Sequence, residues 1–226
     1  MNRSLSQEKL KLIACVTMLV DHVGVVLVPH LWLRMIGRLS FPIFCFLLAE
    51  GVFHTRHPGK YALRLAGVAL LTEIPFDLCF FGGIYWLHQN VLFTMLLGFC
   101  ALQAGKKLDS FLLKLLVTLP FMFLAERLQT DYGMEGVLLI AIFGLTREFP
   151  RRELCQALLM LLLFYNPGGW GTISVLGIPV NAQALCVLAM IPIALYSGEK
   201  HSYSKWLQWG FYLFYPAHLT LLTLLS

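Results

Sequence analysis

Charge is what this sequence has least of. Only 13% of its 226 residues are Asp, Glu, Lys or Arg, while 58% are hydrophobic and the mean hydropathy is +0.75. A soluble domain carries roughly 25% charged residues, so an ordinary water-exposed globular domain is excluded and a polytopic membrane protein is implied. Several chemistries are missing as well. The six cysteines stand singly and far apart in apolar runs, with no CxxC pair, so neither a zinc site nor a disulfide framework is indicated. There is no Gly-rich phosphate loop and no HExxH spacing, and no metal is expected. The amino end, MNRSLSQEKLK, is polar and leads straight to Asp21-His22 without a small-residue cleavage site, so no cleavable signal peptide is expected. No duplicated segment is visible, which argues against an inverted-repeat transporter. The net charge of +5 is spread between hydrophobic runs and does not mark a nucleic-acid partner.

What is present is a series of apolar runs of spanning or near-spanning length. A bilayer-crossing helix needs about 20 mostly apolar residues, and nine candidates run about 9–29, 31–53, 61–82, 88–104, 110–127, 134–147, 152–166, 179–197 and 205–225. The sixth and seventh are short, so one of them is a candidate for a re-entrant or bundle-embedded segment. Basic residues recur in alternate connections: Arg3, Lys9 and Lys11; Arg56, Lys60 and Arg64; Lys106 and Lys107; Arg147, Arg151 and Arg152; Lys200 and Lys205. By the positive-inside rule the amino terminus is cytoplasmic and the carboxyl terminus outside. The expected architecture is therefore all-α: a polytopic transmembrane helical bundle of about nine helices, one domain over 1–226, in a multi-pass arrangement. The Gly- and Pro-rich loop 166–179, NPGGWGTISVLGIP, reads as a connector rather than a lid.

The few polar residues inside these runs are the candidate site, because a charge at bilayer depth costs about 2.5–3.5 kcal/mol even on insertion scales and marks function. Asp21 and His22 fall in the outer half of helix one. Arg34 and Arg38, four residues apart, share a face of helix two. Glu73 and Asp77 are likewise four apart in helix three, with Pro75 between them to free a carbonyl and kink the helix. His88 and Asn90 open helix four, and Tyr215 and His218 lie in the outer half of helix nine. Two readings stand for the charged four: mutually satisfied ion pairs, such as Arg34 or Arg38 with Glu73 or Asp77, or catalytic groups, with Arg34 or Arg38 stabilising an oxyanion and Glu73 and Asp77 orienting an acceptor. His22 has the character of a general base, its tautomer set by Asp21 or a facing acid. Lys11 lies eleven residues earlier, so the two share a helix face about 16 Å apart. A cation at the cytoplasmic mouth suits a phosphorylated, anionic cosubstrate whose reactive end reaches the imidazole.

Several segments, in order, carry a family likeness: LKLIACVTMLVDHVG (10–24), LWLRMIGRLSFPIFCFLLAEG (31–51), KYALRLAGVALLTEIPFDLCFFG (60–82), HQNVLFTMLLG (88–98), DYGMEGVLLI (131–140) and YSGEKHSYSKWLQWGFYLFYPAHL (196–219). Over nearly its whole length the chain resembles the TraX family, named for the F-pilin acetylation protein. Lys11-x10-His22 also looks like the basic-x10-histidine motif of the wider bacterial integral-membrane acyltransferases. The resemblance implies an acetyltransferase of the bacterial cytoplasmic (inner) membrane that takes acetyl-coenzyme A as cosubstrate. It makes His22 the catalytic residue, as general base or acyl carrier, and Lys11 a coenzyme contact.

On this reading His88, Asn90, Tyr215 and His218 hold the acceptor at the outer side. The acceptor is an amine, such as a pilin-like protein amino terminus, or a hydroxyl of an envelope glycan. The lipid bilayer is the other partner. Two further classes stay open: a proton- or ion-coupled transporter, whose relays use buried acids and histidines, and a non-catalytic membrane assembly factor.

Overall fold

The computed structural model describes residues 4–175, 177–199 and 205–226. Arg3, Lys200 and residues 200–204 of the last family segment lie outside the described residues, as does the side chain of Lys205. The helices are α1 (Gln7–Val26), α2 (Leu31–Gly37), α3 (Ser40–His54), α4 (Pro58–Phe81), α5 (Val91–Gly105), α6 (Phe111–Arg127), α7 (Gly133–Leu145), α8 (Arg152–Phe164), α9 (Met190–Ala194) and α10 (Lys205–Leu225). A 3-10 helix, Ala182–Ala189, runs directly into α9. With α2 and α3 taken as one broken segment, and the 3-10 helix with α9, the described residues hold nine helical segments, at the nine expected places.

Local chemistry sets the ends. Ser6 caps α1 by accepting the Lys9 N–H, and Asn90 caps α5 by accepting the Leu92 N–H at 3.0 Å. Pro58 opens α4 and Gly82, at φ 70°, ends it in the left-handed conformation. α4 runs unbroken through Pro75, although the proline has no N–H for the Leu71 carbonyl.

Two features depart from the expected pattern. The second segment breaks at Arg38–Leu39, where the Leu39 N–H reaches back only to the Ile36 carbonyl, as in a 3-10 turn. The break is stabilised because Arg38 Nε donates to the Arg34 carbonyl at 3.3 Å, beside the Arg38 backbone N–H at 3.2 Å. The loop read as a connector holds a short antiparallel hairpin, β1 (Ile173–Val175) with β2 (Ile178–Val180), in register Ile173↔Val180 and Val175↔Ile178. Strands of three residues are too short to show a period in sequence.

The chain divides into two compact units by its internal packing. The first comprises Met1–Phe44, Phe149–Phe214 and Leu221–Ser226; in it α1 packs on α2, and α8 and α2 each pack on the 3-10 helix. The second comprises Cys45–Glu148 and Tyr215–Thr220, with α5, α6 and α7 mutually packed and α4 against α5. Its core holds Phe99, Val137, Leu139 and Ile140, all essentially buried, with Phe46 edge-on to Phe143 at 5.7 Å and Tyr61 stacked on Phe99 at 4.8 Å.

The outward faces are also apolar. Leu63, Leu70 and Ile74 on α4, Leu112, Leu116, Leu119 and Phe123 on α6, and Leu154, Leu158 and Leu162 on α8 are all exposed. Residues spaced by three, four or seven share a helix face, so whole stripes face outward, beyond what scattered surface apolar residues explain. Leu31–His54, 24 residues with mean hydropathy 1.6, is the one helix among the described residues long and apolar enough to cross a membrane by length and composition. α5 and α7 are shorter, and α1 carries Glu8, Lys9, Lys11 and Asp21.

Glycines set the closest approach in the second unit. A Cβ at Gly98 would overlap Ile140, and one at Gly144 would overlap Leu102, so α5 and α7 meet across two bare backbones. Gly144→Val is expected to lower stability by about 2–3 kcal/mol through overpacking, read as a fall in Tm of the purified protein; an unchanged Tm would show that the α5–α7 contact is looser than described.

Candidate functional site

Two polar clusters emerge, one in each unit. In the first, Asp21 is buried on α1 and both of its oxygens are engaged. Arg38 Nη2 donates to Oδ1 and to Oδ2 at 2.8 Å, and Arg34 Nη1 donates to Oδ2 at 3.0 Å. The four-residue spacing on α2 and its break delivers both guanidiniums to one side. Gly37 makes room, since a Cβ there would overlap the Asp21 side chain. Arg38 Nη1 also donates to Gln183 Oε1 at 2.9 Å, and the Arg34 guanidinium lies over the Trp170 ring at 5.2 Å. Ser40 Oγ donates to the Ala14 carbonyl at 3.0 Å, a second tie to α1.

This arrangement changes two expectations. The acid for Arg34 and Arg38 is Asp21, not Glu73 or Asp77. Asp21, one of the acids expected to orient His22, has both carboxylate oxygens engaged by the arginines; successive helix residues point about 100° apart. His22 itself is half-buried on α1, and Lys11 Nζ sits over the Phe211 ring at 5.4 Å.

In the second unit, Asn90 is fully buried. Its Nδ2 donates to Glu73 Oε2 and, at 2.9 Å, to the Ala69 carbonyl of α4. Asp77, also buried, accepts the Tyr85 N–H at 2.9 Å. Glu73 Oε1 and Asp77 Oδ1 are buried with no hydrogen-bond partner among the described residues. Tyr215 and His218 are buried with ring centroids 5.7 Å apart, and Tyr215 is within electrostatic reach of Glu73 and Asp131. His88 stacks on Phe76 at 5.9 Å and lines an open cleft of about 800 Å³ together with Tyr85, Glu126, Tyr132 and Glu135.

The cleft wall is built by pairing two loops: the Gln89 N–H donates to the Gln129 carbonyl at 3.1 Å, and the Asp131 N–H to the Gln89 carbonyl at 2.8 Å. Gln129 and Tyr132 hold left-handed backbone, at φ 49° and 63°, a strained conformation for non-glycine residues that recurs at functional sites. Among the described residues no group of His, Cys, Asp and Glu is placed to hold a metal ion.

Sequence reasoning missed Gln183, Trp170, Glu126, Tyr132 and Glu135. The last two lie inside the family segment 131–140, which was a usable signal. Gln183 and Trp170 lie in stretches with neither charge nor periodicity to single them out.

The TraX protein family model matches residues 6–226. A probable fimbrial assembly protein FimC (serogroup H1) of Dichelobacter nodosus is 30% identical over 239 residues, covering 98% of this chain and 96% of that protein. An uncharacterized protein of Rickettsia prowazekii is 30% identical over 100 residues, 44% of this chain and 37% of that protein. No solved structure matches.

Arg38 meets Asp21 through two hydrogen bonds and Arg34 through one, so their conservative replacements are expected to differ. Arg38 also holds Gln183 through Nη1 and the Arg34 carbonyl through Nε, contacts a single ammonium cannot make together, so Arg38→Lys should cost more stability than Arg34→Lys. Asp21→Asn leaves both cations without their carboxylate and should cost about 3 kcal/mol. Thermal unfolding of the three variants checks this ranking; equal, negligible losses would contradict it.

Proposed function

The chain belongs to the TraX family, and on that premise we propose that it is a multi-pass acetyltransferase of the bacterial cytoplasmic membrane, one integral domain over 1–226, acting on an amine of a pilin-like protein. The apolar stripes on α4, α6 and α8 support the membrane setting, because surfaces of that extent are unfavourable in water. The spanning length and hydropathy of Leu31–His54 support it too. The observation that carries the catalytic reading is the setting of His22: it follows an aspartate clamped by two arginines, on the helix that carries Lys11 three turns earlier.

Acetyl-coenzyme A approaches from the cytoplasmic side. Lys11 attracts its phosphates, and the thioester reaches along α1 to the level of His22, about 16 Å away. The acceptor nitrogen attacks the thioester carbonyl carbon, the C–S bond breaks, and the acetyl group passes to nitrogen. His22 takes the proton from the amine and returns it to the departing thiolate, so the products are the acetylated amine and free coenzyme A. In the acyl-carrier variant the imidazole first forms an acetyl-histidine, and ping-pong kinetics distinguishes it. Of the two roles open to Arg34 and Arg38, we assign the ion pair: with Asp21 they hold α1 against α2 and keep the backbone at His22 in place.

In the second unit, Glu126 and Glu135 line the cleft beside His88. Carboxylates there suit a protonated amine better than a neutral sugar hydroxyl, which favours a peptide amino terminus as acceptor. We assign acceptor orientation to His88, Asn90, Tyr215 and His218.

A second reading has its own support. The D. nodosus relative is described as a fimbrial assembly protein, and a non-catalytic assembly factor would need no coenzyme. Buried carboxylate oxygens at Glu73 and Asp77 without partners also suit a proton relay of a transporter.

The purified chain, reconstituted in vesicles, is expected to transfer acetyl from acetyl-coenzyme A to a peptide amino terminus. His22→Ala should lower the rate by about 10²–10⁴-fold with coenzyme affinity kept, and Lys11→Ala should raise the KM for acetyl-coenzyme A with kcat largely kept. A His22→Ala protein as active as the wild type would remove the imidazole from the mechanism and move the assembly-factor reading forward.

A further inference from the structure

We propose that the second unit carries a phosphate-binding site where α3, α5 and α7 end. A cavity of about 270 Å³ opens there, and Lys106, Lys114 and Arg147 line it. Arg147 is answered by acids: its Nε donates to Glu50 Oε1 at 3.0 Å and its Nη1 to Glu148 at 3.1 Å. The two lysines are not. Lys106 Nζ donates to a neutral group, the Val52 carbonyl at 2.9 Å, and neither Lys106 nor Lys114 has a carboxylate within ion-pair distance among the described residues. Glu148, the acid on the rim, is 86% exposed and points its charge mostly into solvent.

The geometry of the cations is set from below. Lys106 Nζ and the Arg147 guanidinium both lie over the Phe53 ring, at 5.8 Å and 5.0 Å, so one aromatic ring holds two cations at the same mouth. Behind them the wall is made of small and apolar residues, Ala101, Leu102 and Gly144. A cavity with an apolar floor and unneutralised ammonium groups at its rim has the chemistry of an amphiphilic phosphate site, in which charge-assisted hydrogen bonds hold the phosphate oxygens. Basic pockets between membrane helices on the cytoplasmic side bind lipid head groups in this way, and the loop charges place this end on that side. Two sources carry the chemistry: an anionic phospholipid head group and a soluble phosphate. The site stands whether or not the chain transfers acetyl groups.

The test uses the full-length protein in an uncharged detergent. Tm and apparent affinity are followed on adding short-chain phosphatidylglycerol, with diacylglycerol as its phosphate-free control. In a second arm, inorganic pyrophosphate is added, with chloride at equal ionic strength as control. A phosphate-bearing ligand is expected to raise Tm. Lys114→Gln should weaken its binding about tenfold or more, the loss of one charged hydrogen bond; Lys114→Arg should restore it; and Lys107→Gln, an exposed neighbour outside the cavity, should not change it.

Stabilisation by phosphatidylglycerol alone identifies a lipid head group, and stabilisation by pyrophosphate as well identifies a soluble phosphate. Should Lys114→Gln fail to fold, Lys106→Gln at the exposed rim gives the same reading. The proposal is overturned if neither phosphate shifts Tm beyond its control, or if Lys107→Gln weakens binding as much as Lys114→Gln does.

Discussion

The carboxylate of Asp21, taken by Arg34 and Arg38, governs the first unit. An ion pair shielded from water is poor at adding net stability, because the charges lose hydration, but it is unforgiving of misplacement. That property suits this position. Two guanidiniums on one short helix must meet one carboxylate on another, and only one register of α1 on α2 permits it. Gly37 lets the backbone come close, the break at Arg38–Leu39 aims the second guanidinium, and Gln183 and Trp170 bring the 3-10 helix and the hairpin loop to the same centre. His22 inherits its backbone position from this arrangement, one residue along from the clamped aspartate.

The second unit is organised by separated charge. α7 is 13 residues long, with Glu135 in its first turn and Arg147 just past its end, so an acidic and a basic end lie roughly 20 Å apart at the helical rise. The acidic end meets the cleft with His88 and Tyr132, and the basic end meets the cavity with Lys106 and Lys114. The two ends thus differ in charge, one suited to a cationic ligand and the other to an anionic one.

Much of this was legible in the sequence. Long apolar runs between polar connections marked all nine helical segments, and Ser6, Asn90, Pro58 and Gly82 are ordinary start and stop signals. The spacing of Arg34 with Arg38, and of Glu73 with Asp77, placed each pair on one face. What the sequence does not carry is which face meets which. Asp21 as the partner of both arginines depends on the packing angle of α1 and α2, and Asn90 as the partner of Glu73 depends on how α4 meets α5. The break after Arg38 is equally silent, since it comes from a side chain bonding to its own helix. Gln183 belongs to a run of apolar and small residues, where only the fold reveals that its carbonyl oxygen meets a guanidinium.

The proposed acetyl transfer rests on the family and on the placement of His22 and Lys11 on one helix. The most direct measurement is release of free thiol from acetyl-coenzyme A by the purified wild-type protein in detergent, first alone and then with a peptide amine. Acetyl transfer predicts thiol release that rises when the amine is added, with one acetylated peptide formed for each thiol freed. A folded protein that binds no coenzyme and frees no thiol under either condition would contradict it.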